Sequence, residues 1–219
     1  MSENAYVLLL DLVGSSQLPD RQAATEAVQA AQQTVNARYK SAWLAPLETT
    51  RGDETAAVLN RVDVAWDVIA GMADAIHPVG LRAVLKYGEL VAGLETGHAT
   101  IIDGPAFHRA DDLMESLKGS PKLLLIETEL LTLDRTLNAL GNLLLTRLTD
   151  LTELQRDILR LYQTKRRQKS VGESLGRSQQ QVSTTLQAIR WELIDDAETE
   201  MRALLERVQQ EQSGGTEHS

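Results

Sequence analysis

The sequence has no cysteine, few aromatic side chains and no long apolar run. Without cysteine the chain forms no disulfide framework and no thiolate metal site, which fits a reducing compartment. Aromatic residues make up only 4% of the 219 residues, so Leu, Val and Ala must fill the core. The longest apolar runs, such as Val7–Leu10, are far shorter than the ~20 residues of a membrane-spanning helix, and the N-terminus lacks a secretory signal. We therefore expect a cytoplasmic protein with no membrane partner.

The formal net charge of −9 is unevenly distributed along the chain. Residues 1–149 carry 12 basic and 19 acidic side chains, and residues 192–219 carry 2 basic and 8 acidic ones. Between them, residues 150–191 carry 8 basic and 4 acidic side chains. A basic segment inside an acidic chain is where we expect an anionic partner to bind.

The apolar patterns of residues 1–127 predict a domain of the α+β class. Strand patterns occur at residues 6–10, at two antiparallel strands within 44–59, at 81–91 with a break at Gly88, and at 123–127. Helical periodicity separates these strands. The order predicts a sheet covered by helices on one face, and the spacing suits a ferredoxin-like βαββαβ core.

An acidic residue, Asp11, directly follows the first apolar strand pattern. Gly14, Ser15 and Ser16 come next, and the backbone N–H groups of such small residues can bind an anion. A carboxylate at the end of a buried strand needs a partner, which is commonly a divalent cation; capping of the next turn is the alternative. On a βαββαβ fold Asp11 and the hairpin residue Asp53 lie on neighbouring strands, where both can share metal ions that bind a polyphosphate.

Four segments resemble the signature series of class III nucleotide cyclases: LLLDLVGSSQL, TTRGDETAAVL, LRAVLKYGELVAG and DGPAFHRADDLM. Over roughly residues 6–127 they resemble the SatD family more closely, a bacterial group with a cyclase-like domain. The resemblance implies a nucleotide-cyclase-like fold and Mg²⁺ or Mn²⁺ bound by Asp11 and Asp53. The neighbouring carboxylate of Glu54 is a further candidate ligand. The resemblance also implies a nucleotide or phosphate site formed by Gly14, Ser15, Ser16, Arg51, His108 and Arg109.

Three positions depart from the cyclase pattern. Thr49 stands where cyclases have the lysine that reads adenine, and His108 and Asp112 replace the Asn and Arg that orient ribose and stabilise the transition state. An acid in place of a guanidinium does not stabilise the developing phosphoryl charge. We therefore assign no catalytic residue and expect a domain that keeps its metal or phosphate cradle but has lost or changed its catalysis. His108 either lines the pocket or is a solvated helix residue.

The second half of the chain reads as helical throughout. Residues 128–148 are leucine-rich and predict a connecting helix. Residues 149–210 predict a helix-turn-helix domain with a C-terminal helix, and they resemble sigma-factor region four and full-length SatD-family proteins, above all in SLGRSQQQVSTTL. A supporting helix would bury Leu154, Ile158 and Leu161, a short helix would end at Gly176, and Ser178 would cap the next one.

The helix that follows Ser178 turns a polar face outward. Its glutamines can hydrogen-bond adenine edges in the major groove, while basic side chains nearby bind phosphates. The alternative is a solvated helical hairpin with a chance run of charge. We predict contact with double-stranded DNA through Lys165, Arg166, Arg167, Lys169, Arg177, Ser178, Gln179, Gln180, Gln181, Ser183, Thr184, Gln187 and Arg190.

The C-terminal helix has an apolar seam of two heptads that either packs on the helix-turn-helix domain or dimerises it. Residues 211–219 are rich in Gly, Ser, Glu and Gln, which predicts a disordered tail. Helix-turn-helix proteins usually read two half-sites and cyclase-like sites form between two chains, so we expect a homodimer.

These patterns favour a DNA-binding transcription regulator whose degenerate cyclase-like domain binds a metal and nucleotide, or serves to dimerise. The alternative is an active divergent nucleotidyl cyclase or nucleotidyltransferase with Asp11, Asp53 and Glu54 as metal ligands.

Overall fold

Strands and helices alternate in the first part of the chain, and helices alone follow, so the fold is mixed α+β. The computed structural model describes residues 3–14, 21–50, 52 and 54–215. Among the helices of these residues, none combines the length and apolar character needed to cross a membrane. The main elements are β1 (Glu3–Val13), α1 (Arg21–Arg38), β2 (Trp43–Thr49), β3 (Thr55–Leu59), α2 (Ala65–Ala75), β4 (Gly80–Leu90), α3 (Pro105–Lys118), β5 (Leu124–Glu127), α4 (Leu131–Thr149), α5 (Glu153–Lys165), α6 (Gln168–Leu175), α7 (Gln179–Ile189) and α8 (Trp191–Gly215).

The five strands form one sheet in the order β2-β3-β1-β4-β5. β1 lies at the centre and is antiparallel to β3 and β4, β2 is antiparallel to β3, and β5 is parallel to β4. The predicted break at Gly88 was wrong, because β4 continues through this residue, which pairs with Ala5 of β1. A Cβ added at Gly88 would lie 3.3 Å from the Cβ of Ala106, so the glycine lets α3 pack closely on the strand.

Helices cover both faces of the sheet. Leu8 and Leu10 of β1 pack in one apolar cluster with α1 and α2, whereas Val7 packs in a second cluster with α3. Successive strand residues point to opposite faces of the sheet, so the continuous apolar run of β1 is buried on both faces. The expectation of a sheet covered on one face was therefore wrong.

The C-terminal helices share the core of the sheet. Met201, Leu205 and Val208 of α8 are fully buried, in the same cluster as Leu137 of α4 and Leu8 of β1. A Cβ added at Gly141 of α4 would collide with the side chain of Leu124 in β5 and approach that of Met201 in α8. Because Gly141 has no side chain, α4, β5 and α8 can pack together at this point. The apolar seam of α8 is thus buried within the same chain and is not free to form a coiled coil.

The last turns of α8 bind the α+β part of the chain. The side chain of Gln209 accepts a hydrogen bond from the backbone N–H of Val62 at 2.8 Å, and Gln212 donates to the backbone carbonyl of Thr128 at 2.7 Å. These contacts hold residues that the sequence predicted as disordered, so that prediction was wrong for residues 211–215. Residues 216–219 lie outside the described part of the chain.

α5 also differs from its predicted orientation. Its fully buried apolar residues are Ile158 and Leu159, whereas Leu154 is 40% exposed and Leu161 is half-buried. The reason is that Leu154 lines an open groove between α5 and the start of α7, near Ser178, and does not point into the core. A three- to four-residue period fits two neighbouring faces of a short helix, so periodicity alone did not select the correct one.

Candidate functional site

A cavity of about 590 Å³ opens between the β2–β3 hairpin and α3. Its apolar lining includes Leu9 and Ala56 from the sheet and Phe107 and Met114 from α3. Within the described lining the charged side chains are carboxylates and one histidine, so a polyphosphate would need a neutralising cation to enter. The polar lining consists of Thr50, Glu54, Thr55, Thr100, Asp103, His108, Asp111 and Glu115.

Asp11 is only 6% exposed, and it shares the contact partner Lys118 with two residues of the cavity lining, Glu54 and Glu115. It pairs across the strands with Arg82 of β4, and directly opposed residues of an antiparallel pair lie on the same face. Nη1 of Arg82 is 3.3 Å from Oδ2 of Asp11, and Nζ of Lys118 is 3.8 Å from Oδ1. The buried carboxylate that the sequence singled out is therefore neutralised by two side-chain cations.

Lys118 joins three carboxylates from separate parts of the chain. It ends α3, where a cation also interacts favourably with the helix dipole. Its Nζ is 2.8 Å from Oε1 of Glu54 and 3.1 Å from Oε1 of Glu115, in addition to its contact with Asp11. The pKa of Lys118 lies above its ordinary value, chiefly because the ammonium donates a hydrogen bond to Glu54. Lys118 is therefore charged at neutral pH.

The described residues do not form an open metal site. Among them, no group of three or more His, Cys, Asp or Glu side chains could hold a metal ion. Of the three predicted ligands, Asp11 and Glu54 both contact Lys118, and Asp53 lies outside the described residues. The carboxylates are present, but side-chain cations rather than open coordination positions surround them.

The predicted phosphate-binding residues do not all meet at the cavity. Gly14 ends the first strand in the left-handed region, with φ of 69°, as a tight turn requires. His108 lies at the cavity rim with Nε2 3.0 Å from Oδ1 of Asp103. Arg109 instead donates two hydrogen bonds to the carboxylate of Glu127, at 3.1 and 2.8 Å. This contact lowers the pKa of Glu127, and it directs the guanidinium toward β5.

Three other predicted residues of this set, Ser15, Ser16 and Arg51, fall outside the described residues. Asp112, at the position of the cyclase arginine, is exposed on α3. Sequence reasoning missed Arg82 and Lys118, which are the cations of the site. The only sequence signal was the need of Asp11 for a positive partner, and that need did not identify which of the distant basic residues would meet it.

A second candidate surface is formed by α5, α6 and α7. α6 ends at Gly176 in the left-handed region, with φ of 63°. The hydroxyl of Ser178 accepts a hydrogen bond from the N–H of Gln181 at 3.2 Å, and the Gln181 side chain accepts from the N–H of Ser178 at 2.9 Å. This reciprocal capping box starts α7 at the predicted residue. Ser178 and Gln181 are therefore engaged in the cap.

A second glycine sets the distance between α6 and the start of α7. The backbone N–H of Arg177 donates to the carbonyl of Gly172 at 2.9 Å. A Cβ added at Gly172 would lie 2.5 Å from the carbonyl oxygen of Arg177, which is a backbone atom. Only a residue without a side chain lets the turn cross α6 at this distance.

α7 buries one face and exposes another. Val182, Leu186 and Ile189 are fully buried. These three residues are four and three positions apart and therefore lie on one face of α7. The opposite face is exposed and polar, and Ser183 at its side is half-buried. The exposed predicted residues of α7 are Gln179, Gln180, Gln181, Thr184 and Gln187.

The basic residues of this region divide into two groups. Arg166 forms two hydrogen bonds to Asp195, at 2.8 and 2.9 Å, and its guanidinium lies 5.9 Å from the ring centre of Trp191. Lys165 donates to the hydroxyl of Ser174. The second group is exposed and forms no ion pair within the described part of the chain; it comprises Arg167, Lys169, Arg177 and Arg190.

Several solved structures resemble the fold at low identity. A bacterial light-regulated adenylyl cyclase is 14% identical with a TM-score of 0.42, over 57% of this chain and 76% of that one. An adenylyl cyclase from P. aeruginosa is 15% identical with a TM-score of 0.38, over 59% and 80%. A regulator of polyketide synthase expression from Bifidobacterium adolescentis is 11% identical with a TM-score of 0.30, over 97% and 82%.

No curated protein matches the chain. The family model described as the SatD family matches residues 6–193, a range that includes the sheet from the fourth residue of β1 onward, the cavity and all of α5 to α7. The family resemblance seen in the sequence is thereby confirmed, and the chain belongs to the SatD family.

Proposed function

We propose that this protein is a DNA-binding transcription regulator in which α6 and α7 form a helix-turn-helix. The observation that carries the proposal is the exposed polar face of α7 beside exposed cations that form no ion pair among the described residues. The second helix of a helix-turn-helix lies in the major groove, with its N-terminal residues at the base edges. α7 has the capped start, the buried rear face and the polar front face that this position requires.

Two kinds of side chain on this surface would contact DNA, glutamines at the base edges and basic residues at the phosphates. Gln180 and Gln187 are exposed on α7, and glutamine can bond the N6 and N7 atoms of adenine in a bidentate manner. Arg167, Lys169 and Arg177 would contact phosphates, which fix the register of the protein on double-stranded DNA. Arg166 is engaged with Asp195, so we assign it a structural role and exclude it from the phosphate contacts.

We infer that the N-terminal part is a ferredoxin-like, nucleotide-cyclase-like domain with a sensory or dimerisation role. The strand order β2-β3-β1-β4, with helices following β1 and β3, supports the ferredoxin-like arrangement. A homodimer in the cytoplasm would place two copies of α7 on two half-sites. The cavity beside α3 is where a nucleotide or other small ligand would act.

Arginines of α5 and α8 hydrogen-bond carboxylates of α2, so the C-terminal helices contact the α+β part of the chain directly. The guanidinium of Arg156 in α5 donates to Asp74 of α2 at 3.1 and 3.0 Å, and Arg202 of α8 donates to Asp67 of α2 at 2.8 Å. Since one apolar core also joins them, a change in the packing of α2 would be felt by α5 and α8. Ligand control further requires that the ligand bind two states of the protein with different affinity.

The decisive experiment measures binding of the full chain to genomic DNA fragments over a salt series. Arg177→Ala is compared with wild type and with Arg135→Ala, which removes the same charge from an exposed position on α4. If Arg177 binds a phosphate, its loss should reduce the slope of log affinity against log salt by about 0.9 and weaken binding to all sequences. Arg135→Ala should behave as wild type.

Equal affinities and slopes for Arg177→Ala and Arg135→Ala would remove Arg177 from the DNA interface. A wild-type chain that binds no DNA even at low salt would remove the proposed function altogether. Truncation after residue 148 is not a suitable test, because Met201 and Val208 of α8 are part of the core and its removal would expose that core.

The alternative, an active nucleotidyl cyclase or nucleotidyltransferase, has less support from the geometry. Such an enzyme needs Asp11 and Asp53 to bind metal and a cation to stabilise the transferring phosphoryl group. Asp11 contacts Arg82 and Lys118, and the helix position of the cyclase arginine carries Asp112. The alternative predicts Mn²⁺-dependent pyrophosphate release from a nucleoside triphosphate that is lost in Asp53→Asn.

A further inference from the structure

The carboxylates that surround Lys118 beside the cavity already have cations of their own. Arg82 contacts one oxygen of Asp11 at 3.3 Å, and Lys118 approaches the other at 3.8 Å. Nζ of Lys118 is also 2.8 Å from Oε1 of Glu54, the residue directly before β3 in the β2–β3 hairpin. Its ammonium therefore lies between Asp11 and Glu54, the two described carboxylates that the sequence assigned to a metal.

A divalent cation at this place would have to displace the ammonium. Mg²⁺ and Ca²⁺ bind oxygen ligands at about 2.0–2.6 Å, so an ion bridging Asp11 and Glu54 would occupy the region that Nζ of Lys118 fills. The displaced ammonium would leave three carboxylates, including Glu115 at 3.1 Å. The guanidinium of Arg82 would remain beside the incoming ion, and like charges at this distance repel.

The side chain of Lys118 is held in its position. It is anchored by hydrogen bonds to Glu54 and Glu115, and its Cα lies at the last turn of α3, which packs firmly on the sheet. A lysine supplies one compact positive charge with three donors, which matches three surrounding carboxylates. The metal implied by the family resemblance does not fit the described residues in this arrangement.

We propose that Lys118 replaces the divalent cation of this site, so that its ammonium is the resident cation between Asp11 and Glu54 and the full chain has no need of Mg²⁺ or Mn²⁺. The lysine links β1, the hairpin and α3 as a metal would, without requiring coordination geometry. A ligand in the adjacent cavity is then bound by protein groups, and a polyphosphate would have to bring its own neutralising cation. This inference concerns the cavity and stands independently of DNA binding through α7.

The test is Mn²⁺ binding to the full chain, measured by the electron paramagnetic resonance signal of free Mn²⁺. Lys118→Met removes the ammonium and keeps most of the side-chain volume. Lys122→Met is the matched control, because Lys122 is an exposed lysine in the same segment that forms no ion pair within the described residues. Wild type and Lys122→Met should bind Mn²⁺ equally weakly, and Lys118→Met should bind it at least about tenfold more tightly.

Two further variants locate the effect. The double variant Asp11→Asn, Lys118→Met should lose the Mn²⁺ binding that Lys118→Met gains, and Lys118→Arg, which keeps the positive charge, should bind as weakly as wild type. If Lys118→Met does not fold, Lys118→Gln carries the same expectation, since it also removes the positive charge and its amide suits the polar surroundings.

The inference is overturned if wild type binds Mn²⁺ as tightly as Lys118→Met and loses this binding in Asp11→Asn. It is equally overturned if folded Lys118→Met binds no more Mn²⁺ than Lys122→Met, because the lysine would then not be what excludes the metal.

Discussion

Replacing Gly172 by alanine tests the geometry on which the proposed DNA surface depends. The added Cβ would lie 2.5 Å from the carbonyl oxygen of Arg177 and 3.5 Å from the carbonyl carbon of Ser178. These are backbone atoms of the turn between α6 and α7, and no rotation of a side chain can relieve the contact. α7 must therefore move away from α6, and the exposed face of α7 moves with it.

The expected magnitude follows from two opposing effects. Overpacking a close contact costs about 1–3 kcal/mol, whereas alanine is favoured over glycine inside a helix by about 1 kcal/mol. Because the clash is with the backbone, we expect the cost to exceed the gain, for a net destabilisation of up to about 2 kcal/mol. Affinity for DNA should fall as well, since the cap of α7 and Arg177 are displaced.

The matched control is Gly71→Ala in α2. A Cβ there would meet only Cγ2 of Val35 at 3.7 Å, which is ordinary van der Waals contact. The same substitution should therefore stabilise the protein by about 0.4–1 kcal/mol, because it removes freedom from the unfolded chain. Urea unfolding of both variants gives the two free energies, and a DNA-binding series gives the functional effect. If Gly172→Ala matches Gly71→Ala in stability and binds DNA as wild type does, the close crossing of α6 and α7 is wrong.

Two further predictions concern ionisable groups near α8. Arg166→Ala should cost about 0.2–1 kcal/mol of stability, as expected for an exposed ion pair with Asp195, and should leave the salt slope of DNA binding unchanged. A slope reduced as in Arg177→Ala would show that Arg166 binds phosphate instead. Burial raises the pKa of Glu198, so the folded protein holds this proton to higher pH than the unfolded chain does. The free energy of unfolding therefore falls as the pH rises from the ordinary glutamate pKa through the raised value. Glu198→Gln should remove this decline in urea unfolding measured between about pH 4 and pH 7, and an unchanged pH profile would contradict the assignment.

The sequence predicted local structure well where the signal is local. Pro105 begins α3, Ser178 caps α7 and the β2–β3 hairpin encloses residues 51–54, as proposed from turn and capping preferences. Each of these features depends on a few neighbouring residues. The order of strands and helices followed from the same kind of pattern.

The charge partners at the cavity depend on the tertiary fold and could not be read in the same way. Asp11 was correctly marked as a carboxylate that needs a positive partner, but Arg82 and Lys118 reach it through strand register and the end of α3. Arg109 lies three residues before Asp112, the position of the expected arginine, and its guanidinium bonds Glu127 on strand β5. Residues far apart in sequence carry no mutual spacing signal.

The role of α8 shows a second limit. An apolar seam indicates that a helix buries one face, but it does not name the surface that covers it. Here α4 and α2 of the same chain cover it, and polar residues such as Gln209 and Gln212 then hold turns whose composition suggested disorder. Hydrogen bonds to the backbone of a distant segment leave no pattern in composition.

The central claim, that the chain binds DNA through α7, is tested most directly by site-specific photocrosslinking. A photoreactive phenylalanine derivative at position 180, on the exposed face of α7, should crosslink the full chain to genomic DNA fragments under irradiation. The control places the same group at Leu131, which is 65% exposed and is the first residue of α4. It is the other end of α4 that contacts α7, where Arg147 donates a hydrogen bond to the carbonyl of Ile189. DNA crosslinked at position 180 and not at position 131 is the predicted result. Equal crosslinking at both positions, or none at position 180, would contradict the account.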